Sequence, residues 1–361
     1  MEEYHKIPID ELKGFVSDCF VKLNVPREDA DIIADVLVAA DRRGIHSHGV
    51  ARLRRYVKGI KDGIMIPDAR MEILKETPVS ITVDGQGGLG QPVSYRTMEK
   101  VIEKALENYI AFGVVRNSNH YGIAGYYAMM ALKHDGLIGI SITNSAPLVV
   151  PTNGRDAIYG TNPIAFAVPC KEERAFVLDM ATSTVPRGKL EVYNRHGKPI
   201  PEVWATDETG KPTTDPSVVL KNLLERRGGG LLPLGGAEEE TGGHKGYGLG
   251  VIVDIFSGVL SNGAFGLDVY GKKGEPPNVC HFFGAMRVDA FTDMNIFKEN
   301  MDKYMRMLKN SNKAEGKERI YVAGEKEWEQ EERFSREVEI YYKVVEDMRE
   351  IGSEVGVTPP F

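Results

Sequence analysis

The stretch AFGVVRNSNHYGIAGYYAMMALKHDGLIGISITNS, residues 111–145, carries two different periodicities in succession. AFGVVRNSNH reads as a buried strand, an apolar run that ends in a polar tip. AGYYAMMALKHDG follows at helical spacing, and LIGISITNS is a second apolar run with a polar end. Strands alternating with helices indicate an α/β fold. Sheets of this kind gather their chemistry where strand ends meet loops. The polar tips at 116–120, 143–145 and 179–183 are therefore the expected edge of a site.

The pattern extends both ways. Upstream, MEILKETPVSITVD (71–84) reads as strands and PVSYRTMEKVIEKALENYIAFG as a helix from 92 to about 110. Residues 8–60 read as helices, with Pro8 and Pro26 near their starts. Downstream, PIAFAVPC and AFVLDMATS add two strands. From 313 the chain turns highly charged and closes in an amphipathic helix. The expected organisation is a helical part at 1–75, a mixed α/β core at 76–312 and a C-terminal helical arm at 313–361 packed on the core.

Composition removes several function classes. A chain of 361 residues can bury a core large enough to fold without staples. Its net charge of −7 argues against bulk attraction to nucleic acid or to an anionic membrane. Cys19, Cys170 and Cys280 are far apart and form no CxxC, as expected of reduced thiols in a cytoplasmic protein. MEEYHKIPIDELKGF is acidic and lacks the apolar core of a signal peptide. YGLGVIVDIFSGVLSNGAFGL (247–267) is the best candidate for a membrane span, but Asp254 and its glycines favour a buried amphipathic helix.

GIHSHGVARLRRY (44–56) admits several readings. His46 and His48 form an HxH, which would suit a metal-dependent hydrolase at the end of a strand. The preceding segment is helical instead, and residues two apart on a helix diverge, so no metal site is expected. The arginines are too few for nucleic-acid recognition in an acidic chain. A solvated helix end is the plain structural alternative. A third reading takes His48, Arg52 and Tyr56 at i, i+4 and i+8. With Ser47 as N-cap and Gly44 ending the previous helix, the three share one stripe. A guanidinium fork matches a carboxylate, and an imidazole exchanges a proton near neutral pH. Together they suit a small 2-hydroxy or 2-keto acid.

Two places could hold a second reactant. Gly85, Gly87 and Gly90 fit G-x-G-x-x-G between a strand and a helix, the dinucleotide fingerprint. The acidic residue expected about twenty positions on is missing, since the next strand ends in Arg116 and Asn117; a tight turn that needs glycine explains the spacing equally well. In RNSNHYGIAGYYA (116–128), His120 lies between strand and helix, with Gly122 and Gly125 leaving backbone amides open to an anion. His120 reads either as a helix cap or as a general acid/base. TNSAP (143–147), GTNPIAFAVP (160–169) and DMATSTVPRGKL (179–190) jointly suggest one polar cleft along the strand ends.

SHGVARLRRY, NSNHYGIAGYYA, GTNPIAFAVP, DMATSTVPRGK, HKGYGLGVIVDIFSGVLS and VAGEKE occur in the order of one family. Over nearly its whole length the chain resembles the type-2 malate/L-lactate dehydrogenases, which include malate, sulfolactate and ureidoglycolate dehydrogenases. The resemblance implies a mixed-sheet, non-Rossmann core that binds NAD or NADP, and a homodimer. It implies Ser47, His48 and His120 as catalytic, with either histidine carrying the proton. It places Arg52 on the substrate carboxylate, with Tyr56, Thr161 and Lys189 beside the substrate. It assigns His120, Tyr121, Gly122, Ile123, Ala124, Asp179, Met180, Ala181, Lys245, Gly324 and Glu325 to the cofactor. Lys189, where the family's imino-acid reductases carry Asp, favours a hydroxy acid; VAGE stands where many relatives have PGE. The expected reaction is hydride transfer between NAD(P) and malate, with lactate or sulfolactate as alternatives. A second acidic group on the substrate would need another cation, for which Arg55, Lys189 and Lys245 are candidates. The different-class alternatives are the hydrolase at His46 and His48 and a nucleotide-holding regulator.

Overall fold

The computed structural model describes residues 3–270 and 276–361. After a short strand β1 (Tyr4–Pro8), helices α1 (Ile9–Val21) and α2 (Arg27–Arg42) form an antiparallel pair, and α3 (Leu53–Lys61) follows. Pro8 and Pro26 occupy the N-cap positions, where a missing N–H costs nothing. Asp10, Glu11, Glu28 and Asp29 stand in the first turns, against the positive end of each helix dipole. Leu12, Phe15, Val16 and Phe20 pack on Ile33, Ala34 and Leu37 to make the core of this part.

The centre is a seven-stranded sheet in the order β2-β3-β4-β10-β5-β6-β7. Its strands are β2 (Glu72–Thr77), β3 (Ser80–Asp84), β4 (Ile110–Ser118), β5 (Leu137–Thr143), β6 (Ile164–Val168), β7 (Phe176–Met180) and β10 (Val279–Arg287). β3 and β4 run parallel, joined by α4 (Gly90–Asn108); every other neighbour pair is antiparallel, so the sheet is mixed. β10 lies between β4 and β5 and antiparallel to both, which leaves those two parallel to each other. α4 and α5 (Ala124–Met130) cover one face, where Val101, Ala105 and Tyr127 share a core with Phe283 of the sheet. On the other face Val253, from α8 (Gly243–Asp254), meets Val114, Ile142 and Phe282.

A small lobe stands beside β7. It holds α6 (Arg187–Arg195), β8 (Ala205–Thr206), α7 (Pro216–Glu225) and β9 (Gly230–Leu231), around Val149, Tyr159, Leu190, Val219 and Leu231. After β10 come α9 (Met294–Lys309), α10 (Glu325–Arg333), β11 (Glu337–Tyr341) and α11 (Tyr342–Val355). β11 pairs antiparallel with β1 over five residues, and Phe334, Val338, Ile340, Val345, Met348 and Ile351 join the core of the N-terminal helices. Neither of these two strands is anticipated by the periodicity.

Two expectations change. The 247–267 segment is not a buried amphipathic helix. It forms α8 and a π-helical turn (Ile255–Val259), and Leu249, Ile252, Ile255, Phe256, Val259 and Leu260 are exposed by 39–58%. Among the described residues no helix is long and apolar enough to cross a membrane. The glycine fingerprint is a structural turn. Gly85 and Gly87 donate their amides to the carbonyls of Arg116 and Asn117 (both 2.8 Å), so these amides already have protein partners. A Cβ at Gly90 would lie 2.2 Å from the Asn119 carbonyl oxygen. All three cysteines are unpaired, and burial pushes the thiols of Cys19 and Cys280 up to about 12 and about 11.

Candidate active site

The HxH motif does not converge on one point. Residues His46–His48 form a single 3-10 turn, Val50–Arg52 a second, and α3 begins only at Leu53. The expected continuous helix from Ser47 is therefore broken at Gly49, whose ψ of −150° is extended. Asp41 causes the break. Its buried carboxylate accepts from the Val50 amide (2.7 Å) and pairs with His46 Nδ1 (3.0 Å). A Cβ at residue 49 would overlap that carboxylate at 2.2 Å. His46 is thus bound to Asp41, while His48 turns the other way. Ser47 is not a helix cap: its hydroxyl lies 2.9 Å from His48 Nδ1. Arg52 Nε donates to the Ser47 carbonyl (2.6 Å), which folds the guanidinium back toward the histidine. Among the described residues no cluster of three or more His, Cys, Asp or Glu side chains could hold a metal ion.

His120 reaches the same place from the sheet. It follows the polar end of β4, where Asn119 donates to the carbonyls of Gly87 and Gly88 (3.0 and 2.8 Å) and so ties the tip to the glycine turn. The rings of His48 and His120 stack with centroids 5.5 Å apart. Behind them the buried Tyr56 places its hydroxyl 2.6 Å from His120 Nδ1. The Gly122 amide also points at Nδ1 (3.4 Å) and can only donate. Nδ1 is therefore the acceptor, and neutral His120 carries its proton on Nε2. Desolvation pushes the Tyr56 hydroxyl up to about 12, so it stays a phenol and a donor.

His48 and His120 line a cleft of about 400 Å³ with Arg52, Arg55, Tyr121, Gly122, Asn144, Ser145, Thr161, Arg187, Glu191 and Tyr270. Burial first, then the charges of Arg52 and Arg55, lowers His48 to about 4. His120 is lowered well below its usual value by burial, Arg55 and His48. Both imidazoles are neutral at pH 7. Arg55 donates to the Tyr270 hydroxyl (2.7 Å), and Thr161 meets Ser145 through its amide (3.0 Å) and hydroxyl (3.2 Å). Under the floor, buried His281 bridges Thr143 (2.7 Å) and Ser118 (2.9 Å) and stacks on Tyr121 at 4.6 Å.

A second cleft, of about 300 Å³, opens near the start of α5 and is lined by Arg43, Gly125, Asp179, Tyr321, Gly324 and Glu327, among others. The helix start is less bare than the sequence suggests, because Asp179 accepts from the Gly125 amide (2.7 Å). Asp179 is open to solvent along the cleft, yet the surrounding protein raises its carboxyl to about 6. Gly324, at φ +92°, brings bare backbone within 3.0 Å of Val177 as measured from an added Cβ.

Ser47, His48, Arg52, Tyr56, His120, Tyr121, Gly122 and Thr161 therefore gather at the first cleft, and Asp179 and Gly324 at the second. Seven expected residues stand elsewhere. Lys189 is exposed and its ammonium lies 5.4 Å from the Trp204 ring; α6 lines the cleft through Arg187, Gly188 and Glu191 instead. Lys245 is exposed at the start of α8 and lines neither cleft. Ile123 and Ala124 are buried packing at the α5 start. Glu325 organises its own loop, accepting from the Val322 amide (3.0 Å) and pairing with Lys309 and Arg319. Met180 and Ala181 are half-buried at the end of β7 and line neither cleft. Glu191 and Tyr270 carry no signal in the sequence, for neither sits in a motif, and in PRGK it is Arg187, not Lys189, that reaches the cleft.

A family model described as malate/L-lactate dehydrogenase matches residues 7–349. The chain is 50% identical to a malate dehydrogenase of Pyrococcus abyssi, over 99% of this chain and 96% of that one. It is 37% identical to a malate/(S)-sulfolactate dehydrogenase of Methanothermus fervidus, over 96% and 97%. Among solved structures, malate dehydrogenase from Entamoeba histolytica superposes with a TM-score of 0.94 at 38% identity, covering 99% of this chain and 100% of that one. Sulfolactate dehydrogenase from Methanocaldococcus jannaschii gives 0.87 at 36% identity, with 98% of each chain covered.

Proposed function

The chain belongs to the malate/L-lactate dehydrogenase family, and on that premise we propose that it interconverts a small 2-hydroxy acid, malate first, and its 2-keto form with NAD or NADP. The observation that carries this reading is the stacked pair His48 and His120 in one cleft with Arg52. A carboxylate on Arg52 would set the neighbouring hydroxyl before two imidazoles whose roles differ. His48 accepts the hydroxyl proton, with Ser47 holding its far nitrogen. His120, held as the Nε2–H form by Tyr56 and Gly122, donates to the substrate oxygen. In the reverse direction His48 returns the proton.

The second cleft fits the nucleotide. Asp179 presents a carboxylate suited to ribose hydroxyls, and Gly324 and Gly125 keep its walls low. When bound, the cofactor supplies the hydride acceptor at its nicotinamide. His120, Tyr121 and Gly122 line the first cleft and Gly125 the second, so the loop at 120–125 is where one molecule would span both.

The second unit of the assembly is a copy of the chain. The exposed apolar face of α8 and its π-helical turn is larger than single scattered residues explain, and a homodimer would cover it. Purified protein assayed at 340 nm with malate, lactate and sulfolactate, their keto forms and both nicotinamides tests the activity. Arg52→Ala should raise the KM for malate far more than it lowers kcat. No absorbance change with any pair removes the dehydrogenase reading.

A further inference from the structure

The first cleft holds more positive charge than one carboxylate needs. Arg52, Arg55 and Arg187 all line it, and among the described residues Glu191 is the one acid in its lining. Arg52 reaches in from the turn before α3, and Arg55 from the first turn of α3 itself. Arg187 and Glu191 come from α6 of the small lobe, where Arg187 Nε donates to Glu191 at 3.0 Å. α6 stands close to the substrate clamp, since a Cβ added at Gly188 would lie 3.8 Å from Arg52 Nη2. Arg55 is fixed at its end by the Tyr270 hydroxyl. The guanidiniums repel one another: Arg55 and Arg187 both make the charge on Arg52 less favourable, and Glu191 offsets that in part. One monoanion on Arg52 leaves this repulsion standing, whereas a dianion relieves it.

We propose that Arg55 and Arg187 form a second anion subsite, separate from the Arg52 clamp, which reads an acidic group on the far end of the substrate. The ligand class is a short 2-hydroxy or 2-keto acid with a second carboxylate or sulfonate. Two elements supply the subsite, α3 from the N-terminal helices and α6 from the small lobe, so a doubly charged substrate bridges two parts of the molecule. Glu191 holds Arg187 in place until the substrate's acid replaces it. Lys189 and Lys245, the other cations that the sequence offers, do not line this cleft. The subsite rests on the dehydrogenase reading for its substrate but not for its existence.

Binding without turnover is the primary test. Calorimetric titration of the protein with succinate and with butyrate should show succinate tighter by at least about tenfold. Arg187→Leu and Arg55→Leu should each abolish that preference, and Arg187→Lys should restore part of it, which separates charge reading from misfolding. In the 340 nm assay the ratio of kcat/KM for malate to that for lactate should fall roughly 10- to 100-fold in the leucine variants. Sulfolactate falling with malate marks a general anion subsite; sulfolactate unchanged marks a carboxylate-only one and overturns the sulfonate half. Succinate binding no tighter than butyrate to the wild-type protein, or a preference unchanged in both leucine variants, overturns the subsite. An inactive protein that still prefers succinate would leave the subsite standing and remove the dehydrogenase reading alone.

Discussion

His48 and His120 lie side by side, yet their surroundings fit them for opposite tasks. His120 has its Nδ1 occupied by two donors, Tyr56 and the Gly122 amide, so its remaining nitrogen is a donor. His48 has only the adaptable Ser47 hydroxyl on Nδ1 and can offer the lone pair of Nε2. We expect His48→Ala and His120→Ala each to lower turnover by at least roughly 100-fold. Tyr56→Phe should cost less, on the order of tenfold, the worth of one buried hydrogen bond. Steady-state rates with malate check all three. The pH profile follows from burial and from the two arginines beside His48. A base must be unprotonated, and the His48 pKa is lowered to about 4. Oxidation should therefore hold its kcat/KM down to pH about 5 and fall below that, instead of falling near 6.5 as for a free histidine. Arg55→Leu should move the acid limb upward. A limb already at 6.5 in the wild type would remove His48 from the proton transfer.

Elements differ in how openly the sequence announces them. β4, β5, β6 and β7 were legible because they are abrupt apolar runs; the tips of β4 and β5 reach the first cleft through His120, Asn144 and Ser145, whereas that of β7 brings Asp179 to the second. β11 was not, although Glu337–Tyr341 alternates cleanly. It is five residues set between two charged helices, and its partner β1 lies more than three hundred positions away, where no local pattern can reveal it. At 247–267 the helical spacing was legible, but not that Leu249, Ile252, Ile255 and Phe256 would be left exposed, since spacing alone does not say which side faces the core. At residues 44–56 the expected side chains do meet at one cleft, but not along the expected helix. A buried Asp41, which no spacing rule flags, decides that the chain makes two 3-10 turns there. β10 carries a further consequence. His281 is wholly buried in it, with Thr143, Ser118 and Tyr121 against its ring, and its pKa is lowered to about 3. The unfolded value near 6.5 lies above the folded one, so the unfolded state binds more protons between them. Stability is complete above about pH 6.5 and is lost as pH falls toward 3, at up to about 1.4 kcal/mol per pH unit from this group. His48 and His120 act in the same direction. Urea unfolding at pH 7, 5.5 and 4 should show this slope, and His281→Gln should flatten it; an equal slope in the variant would refute the assignment.

In the whole molecule the apolar outer face and the cleft share one support. Asp254 of α8 accepts from Asn162 Nδ2 (3.1 Å), and Asn162 Oδ1 in turn accepts from the Ser145 amide (3.1 Å) in the cleft. Ile252→Arg, on the exposed face, should shift sedimentation from dimer to monomer and lower activity with it. A wild-type protein that sediments as a monomer at micromolar concentration would refute the homodimer. The clasp between β1 and β11 bears on how the enzyme is made. The ribosome releases residues 4–61 first, with His48 and Arg52 among them, but their strand partner and much of their apolar cover, from Phe334 to Ile351, emerge last. The sheet can assemble during synthesis, whereas the N-terminal helices must stay unfinished until translation is nearly over. A nascent chain stalled before residue 337 would thus carry every residue of the first cleft and still lack the fastening that closes it.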